Sequence, residues 1–423
     1  MSRTAVITGL GFITSIGNDR ASVSRSLREG LHGMTAFDFC GNPNLTIKVA
    51  APVRDFNVAS PSSRDWSWPS RYDIPRETLR GLAPHGVYAF CALEQALADA
   101  GLTPADLGDG QTGLFCASAG SAFLLHHHLA QSTAVNFDRG HPMGVVSSIA
   151  GTLNFNLAAH YRITGPVTGF VSACASSTHA LGYALDEIRL GRQQRMIVVG
   201  AEELNAETVL PFAAMRALST NTDPASASRP FDMARDGFVG TGGAVTLIAE
   251  ERETALRRGA PIYATLAGWG QASDGYNVAA PRPDGAGLRS AIQRALADAQ
   301  TAPAGIDYVN AHATSTPVGD AAEALALREV FTAAGNRPVV SSTKGLTGHG
   351  LSMAGAMETA FCALAMKEAF IPGNAHLSNI DPACDGLNLP RESLARTPRA
   401  ILKNSSGFGG SNVCLVLKSS GKP

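Results

Sequence analysis

Short runs of β-branched and other apolar residues alternate with longer stretches of helical period along the chain. Each run has the length of a buried strand. We predict strands at residues 5–8, 167–171, 196–199, 244–248, 306–309, 339–341 and 413–417. Strands that alternate with helices build layered domains. The pattern therefore predicts an α/β protein.

Three stretches predict long helices. The first follows Cys174 and ends at Gly191, where a helix needs its C-terminal stop. Its apolar stripe consists of Ala180, Leu181, Ala184, Leu185 and Ile188. A second helix is predicted after Asp320, which with Glu323 makes an acidic cap-and-N3 pair. The third is predicted over residues 351–367.

The same unit of strand, tight loop, buried helix and strand appears in both halves of the chain. We therefore predict an internal duplication, with an N-terminal half of residues 1–255 and a C-terminal half of residues 256–423. Residues 31–84, which are rich in Pro, Ser and Arg and contain Trp66 and Trp68, break the alternation. This segment is expected to be a surface excursion.

Composition and charge exclude several classes of protein. Apolar residues make up 45% of the 423 residues and charged residues 16%, which excludes disordered and collagen-like chains. The net charge of −1 gives no overall attraction to nucleic acid or an anionic membrane, so a charged partner must meet a local patch. No membrane span or secretory signal is present, and the seven cysteines are scattered. We expect a soluble, cytoplasmic protein.

Cys174 is the best candidate for a nucleophile. It lies between a predicted strand and a predicted helix, where backbone N–H groups and the helix dipole stabilise a thiolate. Small neighbours in Ala-Cys-Ala-Ser-Ser leave room for a substrate. The alternative is a buried structural cysteine, which is our interpretation of the other six.

His312 and His349 each follow a predicted strand and are expected to share one site. A pair of neutral imidazole N–H groups can stabilise a carbonyl that becomes an anion, each contributing ~3 kcal/mol in a dry pocket. Lys344, five residues before His349, would favour the neutral imidazoles. The alternatives are core or cap histidines and a surface lysine.

The segment 404–412, with sequence NSSGFGGSN, places three glycines around Phe408. Glycines at this spacing let the backbone approach a ligand and aim an N–H group into an oxyanion hole. A plain turn before the last strand is the alternative.

Three other patterns are poor candidates for binding sites. Residues 8–14 follow a strand but lack the third glycine of a dinucleotide fingerprint, and the glycine-rich residues 240–243 precede a strand. The adjacent histidines 126–128 do not converge on one helix face and have no partner at metal-ligand spacing. We expect no nicotinamide cofactor and no metal there.

Four motifs occur in order along the chain: Cys174 in SACASS, His312 in VNAHATSTPVGD, Lys344 and His349 in STKGLTGHG, and the closing NSSGFGGSN. Together they closely resemble the elongating β-ketoacyl-acyl carrier protein synthases, the condensing enzymes of fatty acid and type II polyketide synthesis. The resemblance spans nearly the whole chain. It implies a thiolase fold, with two similar halves in a five-layered α/β/α/β/α arrangement.

The resemblance also implies a mechanism without a cofactor. An acyl chain passes from its acyl carrier protein to Cys174, and His312 and His349 then promote decarboxylation of malonyl-carrier protein. The carbanion attacks the acyl-enzyme, so that two positioned steps replace one three-component reaction. The implied partners are the acyl carrier protein and either a second copy or a chain-length-factor-like subunit.

The remaining site residues follow from the same resemblance. The backbone N–H groups of Cys174 and Phe408 form the oxyanion hole, and Gly407 and Gly409 belong to the gate. Thr314 and Thr316 bind pantetheine, and Glu358 and Asn404 support the site around Lys344. Arg76 and Arg80, with Arg71 nearby, form a patch for the acidic carrier protein.

Two residues depart from the family pattern. Ala313 replaces a common glycine, and Ser406 replaces an aromatic residue beside the acyl pocket. Ser406 gives space and polarity, which favours unsaturated, polyene or functionalised acyl chains; housekeeping fatty acid synthesis is the alternative. Some family members hold a structural cation near positions that match Asn310, Glu358 and Asn404, but Lys403 argues against one here.

Two other functions are alternatives to condensation. A pseudo-synthase subunit that shapes a partner's pocket is disfavoured by the intact set of Cys174, His312, Lys344 and His349. A degradative thiolase shares the fold but uses a second cysteine as its base. Neither Cys384 nor Cys414 lies in a matching glycine-rich loop.

Overall fold

The computed structural model describes residues 3–420. Its strands are β1 (Ala5–Ile13), β2 (Thr35–Ala36), β3 (Val49–Ala50), β4 (Thr112–Ala117), β5 (Val167–Phe170), β6 (Arg195–Glu202), β7 (Gly243–Glu251), β8 (Ala264–Ser273), β9 (Tyr308–Asn310), β10 (Val339–Ser341), β11 (Ala400–Gly407) and β12 (Ser411–Lys418). All seven predicted strands overlap an observed strand.

The helices alternate with these strands as predicted. They are α1 (Arg20–Glu29), α2 (Arg76–Leu79), α3 (Pro84–Ala100), α4 (Ala122–Val135), α5 (Gly144–Ser148), α6 (Thr152–Tyr161), α7 (Ser176–Arg189), α8 (Ala206–Val209), α9 (Arg252–Arg257), α10 (Ala286–Asp298), α11 (Pro317–Phe331), α12 (Lys344–Thr347) and α13 (Ala354–Glu368). Within residues 3–420, none of them is long and apolar enough to cross a membrane.

The strand order repeats within one ten-stranded sheet. One half runs β1-β7-β6-β4-β5 and the other β8-β12-β11-β9-β10. In each half the first two pairings are antiparallel and the last two are parallel. The halves join where residues 5–7 of β1 pair with residues 264–266 of β8. The chain therefore consists of two similar halves.

The three largest hydrophobic cores hold five layers together. The central core packs α7 and α13 between the two halves of the sheet, with Leu185 and Phe361 among its fully buried side chains. A second core packs α3 and α6 on the outer face of the first half. A third packs α10 and α11 on the outer face of the second half. This is the α/β/α/β/α arrangement expected from the sequence.

The predicted start of α11 was wrong. The helix begins at Pro317, whose fixed φ and missing N–H group suit a first turn, and Asp320 already lies inside it. The Asp320 carboxylate is buried and accepts a hydrogen bond from the backbone of Phe231 at 2.9 Å. Asp320 and Glu323 therefore serve tertiary contacts and not the helix end.

Three strands of the main sheet have no simple apolar signal. The sequence of β8 contains Gly268 and Gly270, which lie against α10: a Cβ atom at either position would lie 2.4 Å or less from a backbone nitrogen of Ala299 or Ala295. The sequence of β11 ends in polar residues, and β4 is a short mixture that includes glycine. Packing against neighbouring elements therefore decides that these residues form strands.

The N-terminal excursion is less superficial than predicted. Residues 31–84 contain little regular structure, but Trp66 and Tyr72 are buried in the core that also holds α3. The indole of Trp66 donates a hydrogen bond to Ser60 O at 2.7 Å. Part of the segment is therefore an irregular covering layer of the first half.

The apparent dinucleotide fingerprint lies inside a strand. Gly9 and Gly11 belong to β1, and Cβ atoms there would come within 2.4 Å of Ala96 O and 1.8 Å of Ala92 O in α3. The glycines allow the helix to pack closely on the strand.

Candidate active site

Cys174 lies in the tight loop between β5 and α7, and it is partly exposed. The preceding Ala173 has φ of 51°, a left-handed conformation that a non-glycine residue rarely adopts. Ser176 holds the turn, since its hydroxyl accepts from Ser172 N at 2.8 Å and donates to Ala173 O at 2.6 Å. The loop is a constrained elbow that presents the thiol.

The two histidines lie beside this thiol. His349 Nε2 is 3.1 Å from Cys174 Sγ, and the rings of His312 and His349 are 5.3 Å apart at 81°. The sulfur and one nitrogen of each ring lie within 4.8 Å of one another. Thiols and imidazoles are also zinc ligands, but the Lys344 ammonium beside them opposes a dication. The three side chains form one site.

Lys344 is buried and orients His312. Its Nζ donates to His312 O at 2.5 Å and lies 3.4 Å from Nδ1 of the same residue, and it forms an ion pair with Glu358. An ammonium can only donate, so Nδ1 must be the acceptor. The proton of neutral His312 is therefore on Nε2.

The electrostatics favour neutral imidazoles. Burial, reinforced by the positive charge of Lys344, holds the pKa of both His312 and His349 well below the usual value. Burial also raises the pKa of the Cys174 thiol to about 12, and Lys344 opposes that rise. The site thus places two neutral hydrogen-bond donors beside the thiol, which must lose its proton during attack.

Glu323 holds the His312 loop to the neighbouring strand. Its carboxylate accepts from the backbone N–H of His312 at 2.8 Å, from that of Ala313 at 2.7 Å, and from Asn404 Nδ2 at 2.8 Å. The sequence predicts for Glu323 only a place at a helix start. Its role depends on how the helix packs behind the loop, which no local pattern shows.

Lys403 is a second buried ammonium at Glu358. Its Nζ lies 3.1 Å from Glu358 Oε2 and 3.2 Å from Thr178 Oγ1, and it also donates to Ser405 Oγ. From the sequence alone, Lys403 indicates only that a bound cation is disfavoured. A lysine inside an otherwise buried strand was the available signal.

Cys174, His312 and His349 open into a cavity of about 370 Å³. Thr314 and Thr316, whose hydroxyl groups are 3.1 Å apart, also line it. Further lining residues are Ser406, Gly407, Phe408, Phe212, Phe238, Arg216 and Arg282. The two arginines are exposed and therefore mark the open end of the cavity. The sequence analysis did not identify them.

The glycine-rich segment is a strand end followed by a short turn. Residues 404–407 belong to β11, and only residues 408–410 form a 3₁₀ turn. A Cβ at Gly407 would lie 2.7 Å from Ser172 O and 3.2 Å from Cys174 N, so only glycine lets β11 approach the Cys174 loop. Gly409 has φ of 77°, and its N–H donates to Val278 O at 2.7 Å. The segment closes one wall of the cavity.

The arginines predicted to bind the carrier protein lie elsewhere. Arg76 and Arg80 are exposed at α2 and line a separate cavity of about 1470 Å³, together with His127 and His128 of α4. Arg71 lies over the Tyr72 ring, with its guanidinium carbon 4.9 Å from the ring centroid. None of these three arginines is among the described residues that line the Cys174 cavity.

The cysteines considered as a thiolase base are not in the site. Cys384 and Cys414 are buried, and neither is among the described residues that line the cavity of Cys174. The arrangement therefore offers one nucleophilic thiol.

Sequence comparison covers most of the chain. Residues 2–255 match the family described as Beta-ketoacyl synthase, N-terminal domain, and residues 263–378 match Beta-ketoacyl synthase, C-terminal domain. A 3-oxoacyl-[acyl-carrier-protein] synthase 1 of Haemophilus influenzae is 38% identical, over 98% of this chain and 99% of that protein. A 3-oxoacyl-[acyl-carrier-protein] synthase 2 of Staphylococcus aureus is 33% identical, over 99% and 98%.

Solved structures give the same result. A β-ketoacyl synthase from Burkholderia phymatum has a TM-score of 0.89 and 33% identity, covering 99% of this chain and 100% of that one. The ishigamide ketosynthase/chain length factor has a TM-score of 0.88 and 30% identity, covering 100% of both chains. A type II polyketide synthase ketosynthase in complex with its acyl-carrier protein has a TM-score of 0.87 and 27% identity, covering 99% and 100%.

Proposed function

Since the chain belongs to the β-ketoacyl synthase family and has the thiolase fold, we propose that it is a condensing enzyme of fatty acid or type II polyketide synthesis. It extends a Cys174-bound acyl chain with two carbons from malonyl-acyl carrier protein. The observation that carries the proposal is the juxtaposition of Cys174 Sγ with two neutral imidazoles in one cavity.

The first half-reaction is acyl transfer. Cys174 Sγ attacks the carbonyl carbon of the acyl thioester, the bond to the pantetheine sulfur breaks, and the thiol proton passes to the leaving pantetheine. The backbone N–H groups of Cys174 and Phe408 are proposed to stabilise the oxyanion. Gly407 makes this possible, because it brings β11 within reach of the Cys174 loop.

The second half-reaction is decarboxylative condensation. The malonyl group loses carbon dioxide, and the enolate oxygen that results accepts hydrogen bonds from the Nε2–H groups of His312 and His349. The enolate carbon then attacks the thioester carbonyl carbon of the acyl-enzyme, the carbon–sulfur bond to Cys174 breaks, and the released thiolate takes up one proton from solvent. Lys344 supports this step because it fixes the tautomer of His312 and keeps both rings neutral.

The partners follow from the fold and the charge distribution. We propose that an acyl carrier protein presents its pantetheine through the cavity, past Thr314 and Thr316. The exposed cations at α2 and at the cavity mouth provide the local patch that an acidic carrier needs. A homodimer or a heterodimer with a chain-length-factor-like subunit completes the assembly, which we expect in the cytoplasm.

The pocket favours functionalised chains over a tight fit to saturated ones. Ser406 lines the cavity where relatives carry an aromatic residue, and its hydroxyl donates to Asn412 Oδ1 at 2.7 Å. The non-catalytic alternative is not favoured, because Cys174, His312 and His349 are assembled for chemistry.

Intact-protein mass after incubation with acyl-carrier proteins tests the proposal. We expect the wild type and Cys40→Ala, which removes an exposed cysteine, to gain the mass of the acyl group. Cys174→Ala should gain none and should lose condensation by roughly 10³-fold or more while staying folded. An adduct that persists in Cys174→Ala, or a wild type that forms none, would contradict the assignment.

A further inference from the structure

Two buried lysines share one carboxylate beside the proposed active site. Lys344 is paired with Oε1 of Glu358, and Lys403 Nζ lies 3.1 Å from Oε2 of the same side chain. All three side chains are 1% exposed or less. Buried charges are costly unless they are paired, so the three side chains depend on one another.

Lys403 is anchored between three elements. Its Nζ reaches Glu358 on α13, Thr178 on α7 and Ser405 on β11. The hydroxyl groups of Thr178 and Ser405 are themselves 2.8 Å apart. The ammonium therefore has a fixed position between the central helices and the second half of the sheet.

The same region contains oxygen atoms that suit a cation. Oδ1 of Asn310 and Oδ1 of Asn404 are buried without a hydrogen-bond partner, and Asn310 is in register with Lys403 across the parallel pair β9–β11. Together with Glu358 these residues match the family positions near which some members hold a structural cation. Whether a cation can bind there depends on the charged side chains already present.

Glu358 already has two cationic partners. The ammonium groups of Lys344 and Lys403 both lie at its carboxylate, and all three side chains are buried. A metal cation would add an unpaired buried charge and would have to compete with Lys403 for Glu358. The residues present therefore do not fit a bound cation.

We propose that the Lys403 ammonium replaces a structural metal cation in this chain. It is the permanent counter-ion of Glu358, and it holds that carboxylate, and through it Lys344, in place at His312. Lys403 is thus a positioning residue. The inference concerns folding and cation use, and it does not rest on the proposed reaction.

Thermal unfolding in potassium, sodium and choline chloride at one ionic strength tests the proposal without any acyl substrate. Lys403→Ser removes the ammonium and leaves space beside the free oxygens. Lys403→Met removes the same charge but keeps most of the side-chain volume, and is the matched control. Surface screening is equal in the three salts, so a difference between them reports a bound small cation.

We expect the Tm of the wild type to be the same in all three salts. Both variants should lose several degrees in choline chloride, on the order of 5 °C, because Glu358 loses a buried partner. Potassium or sodium should restore at least half of that loss in Lys403→Ser, with a saturable dependence on concentration, and should restore little in Lys403→Met.

Two results would overturn the proposal. One is a wild type stabilised by potassium or sodium in a saturable way, since a resident cation would then coexist with Lys403. The other is equal behaviour of Lys403→Ser and Lys403→Met in every salt. If Lys403→Ser does not fold in any salt, the wild-type comparison still decides the question.

Discussion

At the scale of single residues, the site depends on how a few charges are placed around neutral groups. The rings of His312 and His349 are buried. Among the described residues, the ammonium of Lys344 is the only charged group that hydrogen-bonds to either ring. A positive charge disfavours a second one nearby. Lys344 therefore acts on the orientation of His312 and on the protonation of both histidines.

The pH dependence of malonyl decarboxylation reports this effect. Lys344 lowers the pKa of both histidines, so Lys344→Met should raise it. In the proposed mechanism the neutral rings are the active form, so activity is lost as pH falls through that pKa, and the acid limb should move to higher pH. We expect the acid limb of Lys344→Met to lie at higher pH than that of the wild type, beside a lower overall rate.

The matched control is Lys48→Met, which removes a half-buried lysine that bonds to the backbone oxygens of Asn42 and Pro43 and to neither histidine. It should leave the acid limb where the wild type has it. An acid limb that stays in place or moves to lower pH in Lys344→Met would show that Lys344 does not set the protonation of the rings.

At the scale of elements, the side chains of β11 alternate between the two faces of the strand, and each face contacts a different part of the molecule. Lys403 and Ser405 bond to the central helix α7. Asn404 and Ser406 bond instead to Glu323 and Asn412. One strand thus supplies both the charge network behind the site and part of the cavity wall.

Ser406→Phe tests the cavity wall. The ring should fill space beside Cys174 and leave Asn412 Oδ1 without its donor, which costs about 1–3 kcal/mol. Single-turnover acylation should then favour saturated over conjugated or otherwise functionalised chains by about tenfold more than in the wild type. Intact-protein mass at timed intervals measures the ratio.

Ser406→Ala separates volume from hydrogen bonding. It removes the same hydroxyl without adding bulk, so it should share the loss of stability but keep the wild-type ratio of acyl chains. An unchanged ratio in Ser406→Phe would mean that Ser406 does not determine specificity.

At the scale of the whole molecule, the duplicated topology places the site where the halves meet. The Cys174 loop follows β5 of the first half, and the His349 loop follows β10, its counterpart in the second. The backbone of His349 is held by the first half, since its N–H donates to Val239 O at 2.7 Å. Both halves must therefore fold and dock before the site exists.

Recognition of the carrier protein also involves the whole molecule. Arg76 and Arg80 lie at a cavity separate from that of Cys174, so a carrier that contacts them must bind across both regions. We expect the double change Arg76→Glu and Arg80→Glu to raise the KM for carrier-bound substrate by about tenfold at low salt and to weaken its salt dependence. Steady-state kinetics at several salt concentrations measure both effects.

A double change of Arg25→Glu and Arg257→Glu is the control, since both residues are exposed and the net charge changes equally. The KM should stay near the wild-type value there. Equal KM values for the two double variants would remove α2 from the docking surface and leave Arg216 and Arg282 at the cavity mouth as the candidates.

The sequence by itself determined the α/β fold class, the division into two similar halves and the candidate catalytic side chains. These follow from local patterns: apolar runs form buried strands, the stripe after Cys174 forms α7, and short motifs carry Cys174, His312 and His349.

Only the tertiary structure decided which polar groups meet. Asp320 and Glu323 have the spacing of a helix start, yet both are buried inside α11. Trp66 is buried in the core although it belongs to an irregular segment. Lys403 and Asn310 became neighbours through the register of two strands that are far apart in the chain. The spacing of apolar residues shows which face of a helix or strand is buried. Which buried charges pair with one another depends instead on strand order and register. The network at Glu358 therefore could not be read from local sequence.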